Sequence, residues 1–251
     1  MSSRAPGHAL VVVKLLIFLV SLTPALPLAQ PCKAQKIWQS SGVTLLPPPF
    51  FSPDEFAAIQ HCCHQLQQVA QKEVNSLALE RRCAALAKDG DISKLMASST
   101  VISRVSRATG LKLHPAEKDF PPECRFYGPG SSMAWHRDCV AYKDPQVEGI
   151  LTVSVEDGFD GKTQWRLPDG RVLGEVLQPN SLLLLRAGGA EHQVTSATRG
   201  KRSIIKLVFA TSFERSEEFE RLTRATAAAT TTVGLSSRKS KRAHGRGRRS
   251  S

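Results

Sequence analysis

The chain has 251 residues, and a domain takes about 100 to 200, so there is room for one core with extras but not for two full domains. Apolar residues make up 41% and charged residues 22%, a balance that excludes disordered, collagenous and polytopic membrane classes. The formal charge is +12, but Arg238, Lys239, Lys241, Arg242, Arg246, Arg248 and Arg249 contribute seven of those charges with no acid among them. The basicity is therefore largely a property of the tail, and it is weak ground for nucleic acid as a partner of the folded part.

Residues 1–14 carry Arg4 and Lys14 and no acid, and the apolar run Leu15 to Leu22 follows. Pro24 and Pro27 then break the pattern, with Ala25 and Ala29 as small residues at which a peptidase can cut. This order predicts a cleaved secretory signal over residues 1–29, and hence the endoplasmic reticulum or Golgi lumen, or secretion. A retained membrane anchor is the second reading, because Ala9 to Leu28 nearly reaches the roughly 20 apolar residues of a span. Lys14 and the two prolines weigh against it.

Cys32, Cys62, Cys63, Cys83, Cys124 and Cys139 all follow the presumed signal, and an even number in that setting permits disulfides without choosing a pairing. His61-Cys62-Cys63-His64 does not read as a zinc site. On a helix, adjacent residues point roughly 100° apart, whereas zinc ligands come in spaced pairs. A partly buried helix with one of its cysteines in a disulfide is the expectation there.

In chain order, the run Val43 to Phe51 reads as a short strand stopped by prolines. Ser52-Pro53-Asp54-Glu55 supplies an N-cap, a first-turn proline and two acids at the positive end of a helix dipole. Phe56, Ile59, Cys63, Leu66, Val69 and Ala70 recur at three and four and give that helix one packing face. A second helix is expected from Val74 to Ala87, stopping at Gly90, so residues 30–119 read as a helical support region.

From about residue 120 to 213 the texture is that of an all-β sandwich or barrel. Strands are expected at Cys124–Tyr127, Met133–Asp138, Gly149–Glu156, Thr163–Leu167, Ser181–Arg186, His192–Ser196 and Arg202–Ala210. No helix long enough for a parallel crossover follows any of them, so the pairing should be antiparallel. Residues 139–148 and 156–175 read as loops. A C-terminal helix is expected over 214–228, and 229–251 has no periodicity and reads as disordered.

The chemistry lies in the β-rich block. In His136-Arg137-Asp138 the imidazole and carboxylate are two apart, so on a strand they share a face. His192, after Gly188-Gly189, is a third candidate ligand. Two histidines and a carboxylate suit a non-haem Fe(II) oxygenase, and zinc on the same ligands would suit a hydrolase. Ten residues after His192, Arg202 opens a nearly apolar strand, where a buried guanidinium needs an anion, with a bidentate carboxylate the natural choice. Tyr127 can offer its hydroxyl to the same anion. Lys206 shares Arg202's strand face and is the rival anchor, or else pairs with an acid. Trp135 and Trp165 are expected to be core residues.

Phe126-Tyr-Gly-Pro-Gly130, Trp135-His-Arg-Asp138, Phe159-Asp-Gly-Lys-Thr163, Pro179-Asn-Ser-Leu-Leu183, His192-Gln-Val194 and Gly200-Lys-Arg202, in this order and spacing, resemble the iron- and 2-oxoglutarate-dependent dioxygenases of the prolyl 4-hydroxylase-like branch. Phe51 to Phe56 looks like the helix start that leads into such domains. The resemblance implies a mainly β, double-stranded β-helix (jelly-roll) core with flanking helices. It implies Fe(II) on His136, Asp138 and His192, the distal carboxylate of 2-oxoglutarate on Arg202 with help from Tyr127, dioxygen as co-reactant and ascorbate as an accessory reductant. Ile204, where related chains with arginine carry a serine, and Arg202, where animal-type prolyl hydroxylases carry a lysine, depart from the pattern. The implied activity is hydroxylation of a protein or peptide side chain, with proline the first choice. A nucleic-acid demethylase of the same superfamily and a non-catalytic β-helix binding module are the rivals; the signal disfavours the first and the intact triad the second.

Overall fold

The computed structural model describes residues 30–223, apart from 76 and 222. The N-terminal targeting segment, the basic tail and residues 224–228 of the expected C-terminal helix lie outside the described residues; within that helix, 217–221 and 223 are helical.

The elements in order are α1 (Lys33–Ser41), β1 (Val43–Leu46), α2 (Pro53–Val69), β2 (Gln71–Lys72), β3 (Ala78–Leu79), β4 (Arg82–Ala85), α3 (Asp91–Met96) and α4 (Ser99–Thr109). Then come β5 (His114–Pro115), β6 (Glu123–Tyr127), β7 (Ser132–His136), β8 (Gln146–Val155), β9 (Thr163–Arg166), β10 (Val172–Glu175), β11 (Leu182–Arg186), β12 (His192–Val194) and β13 (Arg202–Ala210).

Two antiparallel sheets result. The larger runs β1-β11-β8-β13-β6-β4-β2, with β5 on β13, and the smaller runs β10-β9-β12-β7-β3. This is a mainly β jelly-roll architecture with helices packed on the large sheet.

Helix α2 starts where the sequence predicts. Ser52 Oγ accepts from the Glu55 N–H, and Glu55 Oε2 accepts from the Ser52 N–H, a reciprocal box that satisfies two donors at the helix end. Ile59 and Cys63, one turn apart, are its buried residues. Val69, expected on that face, is exposed.

The expected second helix over Val74–Ala87 is not there. Its place is taken by β3 and β4, with Ala84 opposite Cys124 of β6 and Ala78 opposite Met133 of β7. Vacant edges of both sheets were available to this segment, and pairing outweighs its helical spacing, as tertiary context commonly does. Gly90 caps the start of α3 rather than ending a helix. Strands therefore precede the β-rich block, and residues 30–119 are not simply helical: they supply four helices together with strands to both sheets. Within the expected loop 156–175, Val172–Glu175 forms the edge strand β10, and Gln146–Glu148 extends β8 into the expected loop before it.

The central strands are covered on both faces, which explains their nearly continuous apolar runs. Leu182 and Leu184 pack with Ile59, Leu151, Ile205, Leu207 and Phe209 beneath the helices. Leu183 and Leu185 face the other way, with Trp165 and Leu177. On β13 the same alternation buries Ile205, Leu207 and Phe209 against the helical layer and turns Arg202, Ile204 and Lys206 into a cleft between the sheets.

Candidate metal centre and its anion pocket

The cleft spans about 430 Å³, part of it open to solvent, and takes residues from both sheets. From the large sheet come Arg125, Tyr127, Ile150, Arg202, Ile204 and Lys206; from the small sheet come Met133, His136, Thr163, His192 and Val194.

His136 closes β7 and stands directly across from His192 of β12, so pairing register alone brings the two rings to 4.1 Å between centroids. The strand ends there. Asp138, expected inside it, lies just beyond. Its carbonyl accepts the Gly188 N–H at 2.9 Å, and Gly188 has φ +66 with no room for a Cβ against Val140. That glycine-dependent turn positions the carboxylate. One ligand atom from each of His136, Asp138 and His192 lies within 4.8 Å of the others. This is the one such group of three or more among the described residues, and the His61–His64 segment forms none.

The ring nitrogens are sorted by carbonyl acceptors. His136 Nδ1 donates to Ala134 O at 2.8 Å, and His192 Nδ1 to Ala190 O at 3.1 Å. A carbonyl can only accept, so each Nε2 keeps a lone pair for a metal. Asp138 Oδ2 is buried without a hydrogen-bond donor and stands 3.4 Å from His192 Nε2. Three converging lone pairs, one of them on an orphaned carboxylate oxygen, fit a divalent cation.

Burial pushes His136 below its ordinary value and pulls His192 down to about 4, against the opposing pull of Asp138. For Asp138, burial alone would raise the carboxyl. The Lys206 ammonium and His192 outweigh it and leave the group below the usual range. All three ligands are thus in their metal-binding protonation states at neutral pH.

Lys206 resolves in favour of the ion-pair expectation. Its Nζ lies 2.7 Å from Asp138 Oδ1 and 3.3 Å from Glu148 Oε2. Glu148 is buried, and desolvation raises its carboxyl despite the ammonium.

Arg202 is 1% exposed. It donates to Thr163 Oγ1 at 2.6 Å and to Thr152 Oγ1 at 3.5 Å, while its Nε has no partner. Among the described residues it forms no ion pair with an acid. Burial lowers it to about 10, still a cation at neutral pH. Tyr127 stands across from Arg202 in the β6–β13 register, its ring 5.9 Å from the guanidinium. The Tyr127 hydroxyl oxygen accepts from Arg81 Nη1 at 2.9 Å, and Arg81 is itself held by Glu73 at 2.6 Å. The five sequence candidates therefore line one cleft.

Trp165 is core as expected. Trp135 is only half-buried and lies 4.9 Å beneath the Arg166 guanidinium, because β7 turns it away from the cleft side that His136 occupies. Sequence reasoning missed Arg81, Thr152, Thr163 and Glu148. A lone acid beside the apolar run Gly149–Val155 was a usable signal for Glu148. Arg81 was hidden by the helical reading.

No family model and no curated protein matches the chain. Solved structures do. A Pseudomonas putida prolyl-4-hydroxylase superposes with a TM-score of 0.56 at 16% identity, over 71% of this chain and 97% of that one. The chain has the fold of the 2-oxoglutarate-dependent Fe(II) oxygenases. A Trichoplax adhaerens prolyl hydroxylase in complex with a hypoxia inducible factor peptide fragment gives 0.57 at 14%, over 70% and 87%. HygX from Streptomyces hygroscopicus, with nickel, 2-oxoglutarate and hygromycin B bound, gives 0.55 at 12%, over 72% and 88%.

The depressed imidazoles generate a prediction. Protons compete with metal only when the pH approaches a ligand's own value. Two histidines at the ordinary 6.5 would lose roughly tenfold in affinity from pH 7.5 to 6. Here Mn(II) affinity should fall clearly less than tenfold over that interval, because both imidazoles lie below the ordinary value, and Asp138→Ala should abolish binding while the far-ultraviolet circular dichroism is kept. Calorimetric titration with Mn(II) checks both.

Proposed function

We propose that the protein is an Fe(II)- and 2-oxoglutarate-dependent dioxygenase that hydroxylates a protein side chain, with proline the first substrate to test, in the secretory pathway. One observation carries the reading: Arg202 is a buried cation with an orphaned Nε and, among the described residues, no acid partner, in the same cleft as three converging metal-ligand atoms. A site with that residue awaits a dianion with one end at a metal and the other at a guanidinium.

Bound Fe(II) with 2-oxoglutarate supplies the oxidation: dioxygen gives one atom to succinate, formed by decarboxylation, and one to a carbon of the substrate. The chain's residues bind and orient. His136, Asp138 and His192 would hold the metal. Their carbonyl and Lys206 partners keep the rings and carboxylate from rotating. Arg202 receives the distal carboxylate, and Thr163, already bonded to it, aims the guanidinium. Arg81 donates to the Tyr127 oxygen, which leaves the phenolic hydrogen for the same carboxylate. Ile150, Ile204 and Val194 exclude water from the pocket, so the charge-assisted pair forms in a medium where it is strong.

The peptide-bound Trichoplax neighbour supports a peptide substrate, and the lumenal setting rests on residues 1–29. Nucleic acid finds no support in the cleft, since Arg81 and Arg125 are already paired with Glu73 and Glu123.

The functional test incubates purified protein with Fe(II), ascorbate, 2-oxoglutarate and proline-rich peptides. A peptide mass gain of one oxygen matched by succinate is expected; absence of any 2-oxoglutarate turnover, with or without peptide, overturns the enzyme reading. Arg202→Ala removes one partner of a desolvated charge pair, a loss of about 2 to 5 kcal/mol. That is roughly a 30-fold to several-thousand-fold weaker 2-oxoglutarate affinity, whereas Lys206→Ala should act on metal affinity and stability instead. A reporter fused to residues 1–35 should enter the secretory lumen, and its recovery in the cytosol would contradict the compartment.

A further inference from the structure

We propose that Cys63 and Cys124 form an intramolecular disulfide bond tying helix α2 to strand β6. The two residues are 61 positions apart in the chain, and their sulfurs lie 2.8 Å from each other. That is well inside non-bonded contact, which for carbon is roughly 3.5–4.0 Å and is larger for sulfur.

Both side chains are sealed in the core, with Cys63 at 2% and Cys124 at 0% exposure. Each is aimed at the other by its own element. On α2, Cys63 lies one turn after Ile59, the other residue of the helix's buried face. On β6, Arg125 and Tyr127 line the cleft, so Cys124 and Phe126 are turned to the opposite side, into the cluster beneath α2 that also holds Ile59 and Cys63. Among the described residues, neither thiol has another hydrogen-bond partner.

The remaining cysteines are excluded by position. Cys62 is the adjacent helical residue and is part exposed, and the sulfur in contact with Cys124 is that of Cys63. Cys83 on β4 is registered with Arg125, not with Cys124. Cys32 lies against Arg107 O, and Cys139 is exposed beside the cleft. A metal does not explain the pair, because no metal-holding group among the described residues contains a cysteine.

The chemistry balances with a disulfide oxidant. One thiolate attacks the oxidant's S–S bond and releases a thiol. The second thiolate then attacks the mixed disulfide, forms the Cys63–Cys124 bond and releases another thiol, so the chain loses two hydrogens and the oxidant gains them. The finished bond is buried, so the exchange belongs to folding. Closing so long a loop restricts the unfolded chain and stabilises the fold. The staple also sits directly behind the strand that carries Tyr127. It holds independently of how the cleft is used.

The full-length chain is folded with and without oxidised glutathione, denatured in N-ethylmaleimide and digested with trypsin. The oxidised sample should yield the peptide of residues 119–125 linked to the peptide of residues 37–72, two hydrogens lighter than the pair of free thiols. Electron-transfer fragmentation of the wild-type linked peptide should assign the sulfur to Cys63, and the link should persist in Cys62→Ser. Reducing the oxidised protein should lower its thermal midpoint by roughly 10 °C. Recovery of Cys124 as its maleimide adduct after oxidative folding, or a link from Cys124 to Cys62, Cys83 or any other cysteine, overturns the proposal.

Discussion

A guanidinium buried between two sheets without a carboxylate is the constraint on which the arrangement turns. An isolated charge in that setting is costly, yet Arg202 is nearly sealed, held by two threonine hydroxyls and left with one donor unused. Every buried acid close by is engaged elsewhere. Asp138 and Glu148 share Lys206, and Glu73 is taken by Arg81. The protein thus neutralises each of its other cleft-lining cations and keeps one open, which makes sense only if something negative arrives.

The strand that carries this charge also joins the two halves of the core. On β13 the even positions Arg202, Ile204 and Lys206 face the cleft, while Ile205, Leu207 and Phe209 lock into the helical layer. Strand β8 beside it carries an irregularity where Ser203 pairs with Ser154 but Ile204 pairs with Thr152. The extra residue lets Thr152 and Val155 both meet the cleft side of β13, and Thr152 is one of the two hydroxyls on Arg202. The anion pocket therefore depends on a break in register, and the metal pair sits beside another: His136 is opposite His192, and the β7–β12 register shifts between His192 and Val194.

Much of this was legible in the residues. Most strand positions, the antiparallel pairing, the start of α2 and four of the five cleft residues follow from period-two runs, a capping pattern and the His-x-Asp…His…Arg spacing. Legibility failed where partners distant in sequence decide the outcome. Residues 74–87 have helical spacing, but two vacant sheet edges draw them into β3 and β4. Asp138 was placed on a strand, whereas the strand stops at His136 and the Gly188 turn delivers the carboxylate. Thr152, Thr163 and Glu148 are ordinary strand residues until the fold sets them against Arg202 and Lys206. Even Lys206, readable as a rival anchor, shows its allegiance only through acids 58 and 68 positions away.

The account's central claim is that Arg202 is held open for the far carboxylate of 2-oxoglutarate. Anaerobic calorimetric titration of the Fe(II)-loaded protein with 2-oxoglutarate and with 2-oxopentanoate tests it, because the second ligand keeps the metal-facing end and lacks the distal charge. The account predicts that 2-oxopentanoate binds at least about 30-fold more weakly, the loss expected when a desolvated charge goes unpaired, and that in Arg202→Ala the two ligands differ by only a few-fold. Equal affinity for the two ligands in the wild-type protein would contradict it.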